Sequence, residues 1–182
     1  TTADRRQRFR YWLHRRELAV SEPVYANAAL RFANWQINTF NRDTGISPYQ
    51  KINDALNALH NARTGLAQSP GRSSAQLIPI LNAQADAYLK LAIYASERMQ
   101  ELASWGGGEH VEELIELRNM ISTSFLDGRE ALSRVVEITK SKNEYLAHGL
   151  ALANLGDWSL AFGRPPSPAK LYKEAFTVLQ NA

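Results

Sequence analysis

The amino-acid sequence predicts an all-α protein, an array of about eight antiparallel helices. Apolar residues recur three or four positions apart in every long segment of the 182-residue chain, and this is the period of one helix face. No stretch alternates apolar and polar residues as a half-buried strand does. Clusters of proline and glycine separate the periodic segments by short turns, which favours hairpins of neighbouring helices.

Composition excludes several kinds of site before any motif is considered. The chain has no cysteine, and therefore no disulfide, thiolate nucleophile or Cys-ligated metal. Its 45% hydrophobic content is enough to bury a core. Polar residues interrupt every apolar segment before the roughly 20 residues that span a bilayer, so we expect a soluble protein, cytoplasmic or periplasmic. Because the sequence begins at Thr1 and not at Met, we expect a fragment or a processed product.

The positive charge of the chain is concentrated at its N-terminus. Residues 1–20 contain six arginines against two carboxylates, a net charge of +4, whereas the remaining residues sum to −1 and the whole chain to +3. Phe9, Trp12 and Leu13 fall on one helical face of this segment, and most of the arginines lie elsewhere on the wheel. The pattern predicts a basic amphipathic helix.

Three further helices are predicted in the first half of the chain. The second begins at Ser21-Glu22-Pro23 and the third at Ser47-Pro48, because a serine cap with proline in the first turn favours a helix start. Residues 68–74 are the most linker-like stretch in the sequence. A long fourth helix follows them as far as Trp105.

The second half of the chain begins with another strong break. Three glycines, residues 106–108, favour neither helix nor strand, and a fifth helix follows them with Glu109, Glu112 and Glu113 in its first turns. We expect a turn at Asp127-Gly128 that separates the fifth helix from a sixth, because aspartate followed by glycine is a strong turn signal.

The seventh and eighth predicted helices form a hairpin at the C-terminal end. Ser141 and Glu144 have the spacing of a capping box for the seventh helix, and the eighth follows Pro165-Pro166. The seventh is apolar on almost every side, which predicts burial by the preceding helices or by a further repeat. We expect residues 1–70 to form N-terminal hairpins with the basic first helix, and residues 71–182 to form the rest of the array, as two domains or one continuous domain.

The last hairpin resembles one tetratricopeptide repeat, over residues 149–182. The matching residues are Leu155 and Gly156 of the first helix, the turn glycine Gly163, and Tyr172 and Ala175 of the second helix. Ser159 and Pro168 depart from the family pattern, which usually has an aromatic and a small residue there. The resemblance implies a right-handed helical repeat, a non-enzymatic scaffold and a protein or peptide partner.

Five positions of the seventh helix correspond to the groove residues of peptide-binding members of that family. They are Leu150, Ala153, Asp157, Leu160 and Ala161. Four of the five are apolar, whereas members that clamp a peptide's terminal carboxylate present Lys, Arg and Asn. The resemblance therefore favours an apolar groove or plain burial over a carboxylate clamp at these positions.

The alternative function is binding of nucleic acid or another anionic surface by the basic first helix. Its candidate residues are Arg5, Arg6, Arg8 and Arg10. Binding measured at two salt concentrations distinguishes this hypothesis from the scaffold hypothesis, because phosphate contacts weaken steeply as the salt concentration rises and apolar contacts do not.

The sequence contains no catalytic, metal or cofactor signature. The pairs His110 with Glu113 and Glu144 with His148 lie one helical turn apart, and each supplies only two of the ligands that a zinc site needs. No Gly-x-Ser-x-Gly motif frames a serine, and the three-glycine run lacks the lysine of a phosphate loop. We therefore expect no enzymatic activity and no cofactor.

Overall fold

The computed structural model describes residues 22–68, 74–105, 110–142 and 144–181, and these residues form six helices and no strand. The helices are α1 (Glu22–Asn38), α2 (Pro48–Gln68), α3 (Ser74–Ser104), α4 (Val111–Ser141), α5 (Tyr145–Phe162) and α6 (Pro168–Leu179). The all-helical class predicted from the sequence is confirmed for this part of the chain. The predicted basic helix, with Arg5, Arg6, Arg8 and Arg10, lies outside the described residues.

Helices α1 and α2, together with the part of α3 up to Ala83, belong to one compact unit. α1 and α2 pack against each other, and alanines dominate their buried positions: Ala26, Ala29, Ala33, Ala55, Ala58 and Ala62. Small side chains let two helices approach closely, so this hairpin is built on short contacts between helix surfaces.

A second compact unit begins at Gln84 and contains the remainder of α3 with α4, α5 and α6. Its larger core cluster joins Ala85 of α3 to Phe125 and Leu132 of α4, and further to residues of α5 and α6. A smaller cluster joins Ala95 and Leu102 of α3 to Leu117 of α4. All four helices therefore contribute to the core of this unit. The division near residue 70 that we expect from the sequence stays a prediction.

The predicted turn at Asp127-Gly128 is wrong, because α4 runs through it as one helix of 31 residues. Gly128 is buried in the middle of α4, and a Cβ atom at this position would collide with the indole ring of Trp158 from α5. Glycine is therefore required at position 128 because the indole ring of Trp158 packs directly against the backbone of α4, and not because the backbone turns there. The sequence-based fifth and sixth helices are a single helix.

The hairpin of α5 and α6 has a register defined by two glycines. A Cβ atom on Gly156 would lie 2.7 Å from Cε1 of Tyr172, and one on Gly149 would lie 2.6 Å from Cδ2 of Leu179. The two helices are therefore antiparallel and in close contact. Gly163 ends α5 in the left-handed conformation, with φ of 58°, which glycine adopts without steric cost.

The predicted capping box at the start of α5 is also wrong. Ser141 is the last residue of α4, and its Oγ donates a hydrogen bond to the carbonyl of Ile138 at 2.8 Å. Glu144 occupies the N-cap position of α5 without a side-chain capping bond. Ser141 and Glu144 therefore belong to two different helices and cannot form one capping box.

Candidate partner-binding surface

One face of α5 carries a row of mostly apolar residues, of which three leucines are left exposed by the helices that the structure describes. The row, here called the α5 stripe, consists of Leu146, Leu150, Ala153, Asp157 and Leu160, spaced alternately by four and three residues. Leu146 is 63% exposed, Leu150 53% and Leu160 64%. Single exposed leucines are ordinary, but a contiguous apolar patch marks an interaction surface more often than not.

This exposure corrects the expectation that the helix is buried on almost every side. Leu152, Leu155 and Trp158 pack into the core cluster of the second unit. Gly149 and Gly156 lie against α6. Within the described residues, these contacts cover two faces of α5 and leave most of the third face exposed. The sequence correctly indicated an apolar helix, but the uncovered face depends on where α4 and α6 pack.

Four of the five sequence-predicted positions of α5 lie together on the stripe, and the fifth, Ala161, is exposed next to Leu160. Leu150 and Leu160 are exposed, Ala153 is half-buried and Asp157 is exposed. Asp157 is the only charged residue of α5, and its Oδ1 accepts a hydrogen bond of 2.6 Å from the hydroxyl of Tyr172 on α6. The single charge on the stripe is thus tied to the neighbouring helix.

The hydrogen bond to Asp157 raises the pKa of the Tyr172 hydroxyl. The hydrogen bond to Asp157 is the main reason that the pKa of Tyr172 lies above its ordinary value of 10.0. Because the folded pKa is raised, the contact contributes its full stability below pH 10 and loses it as the pH rises through the folded value.

We expect Asp157→Ala to lower the pKa of Tyr172 towards its ordinary value, because both the acceptor and the negative charge are removed. The measurement is a titration of the ¹³Cζ resonance of labelled tyrosine, with Tyr145, which is half exposed on the first turn of α5, as an internal reference. An unchanged Tyr172 titration would show that the hydrogen bond does not form in solution.

Where α5 packs on α4 near its C-terminal end, the ring of Phe162 lies in tilted contact with the rings of Trp158 and Phe125. The ring centroids of Phe162 and Trp158 lie 4.8 Å apart, and those of Phe162 and Phe125 lie 5.3 Å apart. Nε1 of Trp158 also donates a hydrogen bond of 3.3 Å to the carbonyl of Phe125. These contacts fix the orientation of α5 on α4.

Two arginines lie against the buried ring of Phe125. The guanidinium carbon of Arg129 lies 5.3 Å from the ring centroid of Phe125, and that of Arg164 lies 5.1 Å from it. Both distances are in the range of a cation–π interaction. Sequence reasoning missed this pair, although the four-residue spacing of Phe125 and Arg129 on one helix is a local signal for the contact of Arg129.

A pocket of about 440 Å³ opens at the turn between α5 and α6. Its lining includes Leu160 from the end of the stripe, Arg164, and the three prolines Pro165, Pro166 and Pro168. The pocket therefore joins the apolar stripe to one of the two arginines.

The histidines do not assemble a metal site in the part of the chain that the structure describes, where no group of three potential ligands occurs. His148 is buried, and its Nδ1 lies 3.3 Å from Oγ1 of Thr139. The same hydroxyl lies 2.9 Å from the carbonyl oxygen of Val135, to which it can donate. His148 thus connects α5 to α4. None of the described helices is long and apolar enough to cross a bilayer.

Comparisons with protein-family models, with curated proteins and with solved structures find no match for this chain.

Proposed function

We propose that this protein is a non-enzymatic scaffold that binds a helical segment of another protein on the α5 stripe. The observation that carries the proposal is an uncovered helix face with three exposed leucines and one charged residue, and that charge is already hydrogen-bonded within the hairpin. An amphipathic helix that presents apolar residues at the same spacing would bury the leucines in a groove-like contact.

Rigid positioning of α5 supports this function. Trp158 fits over Gly128 of α4 and stacks on Phe162, while Tyr172 of α6 packs over Gly156. A face that is already fixed in place loses little conformational entropy when a partner binds, and this improves affinity. The stripe extends over 15 residues, about 21 Å at the helical rise of 1.5 Å per residue.

The proposal includes the tetratricopeptide-like character of the hairpin. The close approach at Gly156 and Tyr172 and the left-handed Gly163 are compatible with such a repeat, and both positions belong to the resemblance found in the sequence. The stripe includes four of the positions that correspond to groove residues of peptide-binding members of that family. We propose that the partner helix occupies the place of a groove-bound peptide, against the α5 stripe.

The test is selection of a phage-displayed library of 16-residue helical peptides on the protein, followed by affinity measurement. We expect amphipathic peptides with leucines at helical spacing to be enriched. The double variant Leu150→Glu with Leu160→Glu should bind them at least about 30-fold more weakly, the equivalent of about 2 kcal/mol for the loss of interface anchors.

The matched control places the same two charges elsewhere in the same unit. Gln100 of α3 and Asn119 of α4 are exposed, so Gln100→Glu with Asn119→Glu should leave the affinities within twofold. A thermal melt of both double variants verifies folding. Equal binding to the Leu150/Leu160 variant, or a wild-type dimer that this variant converts to a monomer, would contradict the proposal.

A further inference from the structure

A fully buried serine lines the pocket at the turn between α5 and α6, and its hydroxyl has no partner. Ser159 is 0% exposed, and its Oγ forms no hydrogen bond within the described residues. Its carbonyl is already used, because it accepts the N–H of Arg164 at 3.1 Å. A buried hydroxyl without a partner costs free energy, and in a native structure it needs an explanation. The hydroxyl is the polar group that Ser159 retains for a ligand in the pocket.

The N-terminus of α6 forms another side of the same pocket. Its N-cap residue Ser167 and the following Pro168 both line the pocket. The N–H groups of Lys170 and Leu171 donate to the carbonyl of Ser167 at 3.1 and 3.2 Å, and proline has no N–H. The N–H of Ala169 has no partner among the described carbonyls, and Ser167 makes no side-chain capping bond. This N–H is therefore a free donor at the positive end of the helix dipole.

The remaining lining of the pocket is apolar apart from one positive charge. Arg164 is the only charged residue among the described residues that line it, and the first turn of α6 contains no acidic residue. Apolar walls come from Leu160 and from the prolines Pro165, Pro166 and Pro168. Ligand pockets are mostly apolar in this way, with a few polar groups that orient the ligand. The lining therefore favours an anionic group attached to an apolar body.

The donors suit a phosphate group better than a carboxylate. A terminal phosphate carries three strong acceptor oxygens, and three donors are available in the hydroxyl of Ser159, the hydroxyl of Ser167 and the N–H of Ala169. Helix N-termini bind phosphate through the same combination of free N–H groups and dipole.

We propose that this pocket binds a small phosphate monoester with an apolar body. The phosphate oxygens accept from Ser159, Ser167 and Ala169, the apolar body lies against the prolines, and Arg164 adds positive charge. The ligand site does not depend on the partner helix of the α5 stripe.

The test is a titration of the ¹⁵N-labelled full chain with phenyl phosphate, followed in ¹H–¹⁵N correlation spectra. We expect saturable binding with a Kd below about 1 mM, and the largest shifts at the amides of Ser167 and Ala169. Inorganic phosphate should bind at least about tenfold more weakly, because it has no apolar body to bury. Phenol, which lacks the anion, should leave these two amides unshifted.

Ser159→Ala should weaken the binding of phenyl phosphate at least about tenfold, the loss expected for a hydrogen bond to a charged group. In a thermal melt without ligand the same variant should be at least as stable as the wild type, because it removes an unpaired buried hydroxyl. The matched control is Ser124→Ala. The Oγ of Ser124 on α4 is also buried without a partner, but Ser124 does not line the pocket. This control should share the stability effect and retain the full affinity.

Three results would overturn the proposal. They are the absence of saturable shifts at about 10 mM phenyl phosphate, an unchanged affinity of the Ser159 variant, and equal affinities for phenyl phosphate and inorganic phosphate. A phosphotyrosine peptide that bound more than about tenfold more tightly than phenyl phosphate would exclude the small ligand and assign the phosphate to a protein partner. Each of these results leaves the proposed binding of a helix on the α5 stripe unaffected.

Discussion

Gly128→Ala is expected to destabilise the protein by about 1–3 kcal/mol, although the same substitution inside an exposed helix is stabilising by about 1 kcal/mol. The added methyl group would collide with Cζ2 and Cη2 of the Trp158 indole. The ring cannot retreat, because Trp158 is buried, donates to the carbonyl of Phe125 and stacks on Phe162. Interiors packed to this density transmit such strain to the helices.

The two glycines of α5 that face α6, Gly149 and Gly156, give matched controls for this substitution. At Gly149 the new methyl group would meet the end of Leu179, a flexible side chain that is 37% exposed in the last turn of α6. Gly149→Ala should therefore leave stability nearly unchanged. Gly156→Ala should be intermediate, since the ring of Tyr172 lies 2.7 Å away but is only half-buried. Urea unfolding followed at 222 nm gives the three free energies of unfolding.

A double-mutant cycle isolates the contact with the indole. In a Trp158→Phe background the ring that obstructs residue 128 is smaller, so Gly128→Ala should lose most of its cost. If Gly128→Ala proved as stable as the wild type, or if its cost persisted with phenylalanine at position 158, the close contact of α4 and α5 would not be the reason for the glycine.

Gly128 also shows where sequence reasoning fails for this chain. Aspartate followed by glycine is a local turn signal, since a turn involves only four residues. Nothing in the neighbouring sequence indicates that Trp158, 30 residues later, packs against Gly128. By contrast, local chemistry is sufficient at the start of α2, where Ser47 precedes Pro48 and the Oγ of Ser47 accepts a hydrogen bond from the N–H of Gln50. The left-handed end of α5 at Gly163 is local in the same sense.

The candidate surface was also predictable only in its local features. The apolar character of Leu150 and Leu160 is visible in the sequence, but their exposure is not, because it depends on which faces α4 and α6 cover. The stacking of Arg129 and Arg164 on one ring is likewise non-local, since residue 164 follows the next helix. Sequence periodicity identifies helices and their apolar content, whereas tertiary packing decides which apolar faces remain uncovered.

Lys51 is a second residue whose role is invisible in the sequence. It lies in the first turn of α2, and it is fully buried. Its Nζ donates hydrogen bonds to the carbonyls of Thr39 at 2.7 Å and of Arg42 at 2.5 Å, just after the C-terminus of α1. Burial lowers the pKa of Lys51, and the negative charge of Asp43 acts in the opposite direction.

We expect Lys51→Met to destabilise the protein by about 1–3 kcal/mol, since methionine has a similar length but leaves the carbonyls of Thr39 and Arg42 without their donor. α1 has no basic residue in its last turn, so no other side chain of that turn can replace the cation near its C-terminus. Lys173→Met, at an exposed position of α6, is the control and should change stability by less than about 0.5 kcal/mol. Thermal and urea unfolding of both variants measure the difference. Equal stability of the Lys51 variant and the wild type would mean that water reaches these carbonyls and that the buried lysine does not hold the connection between α1 and α2.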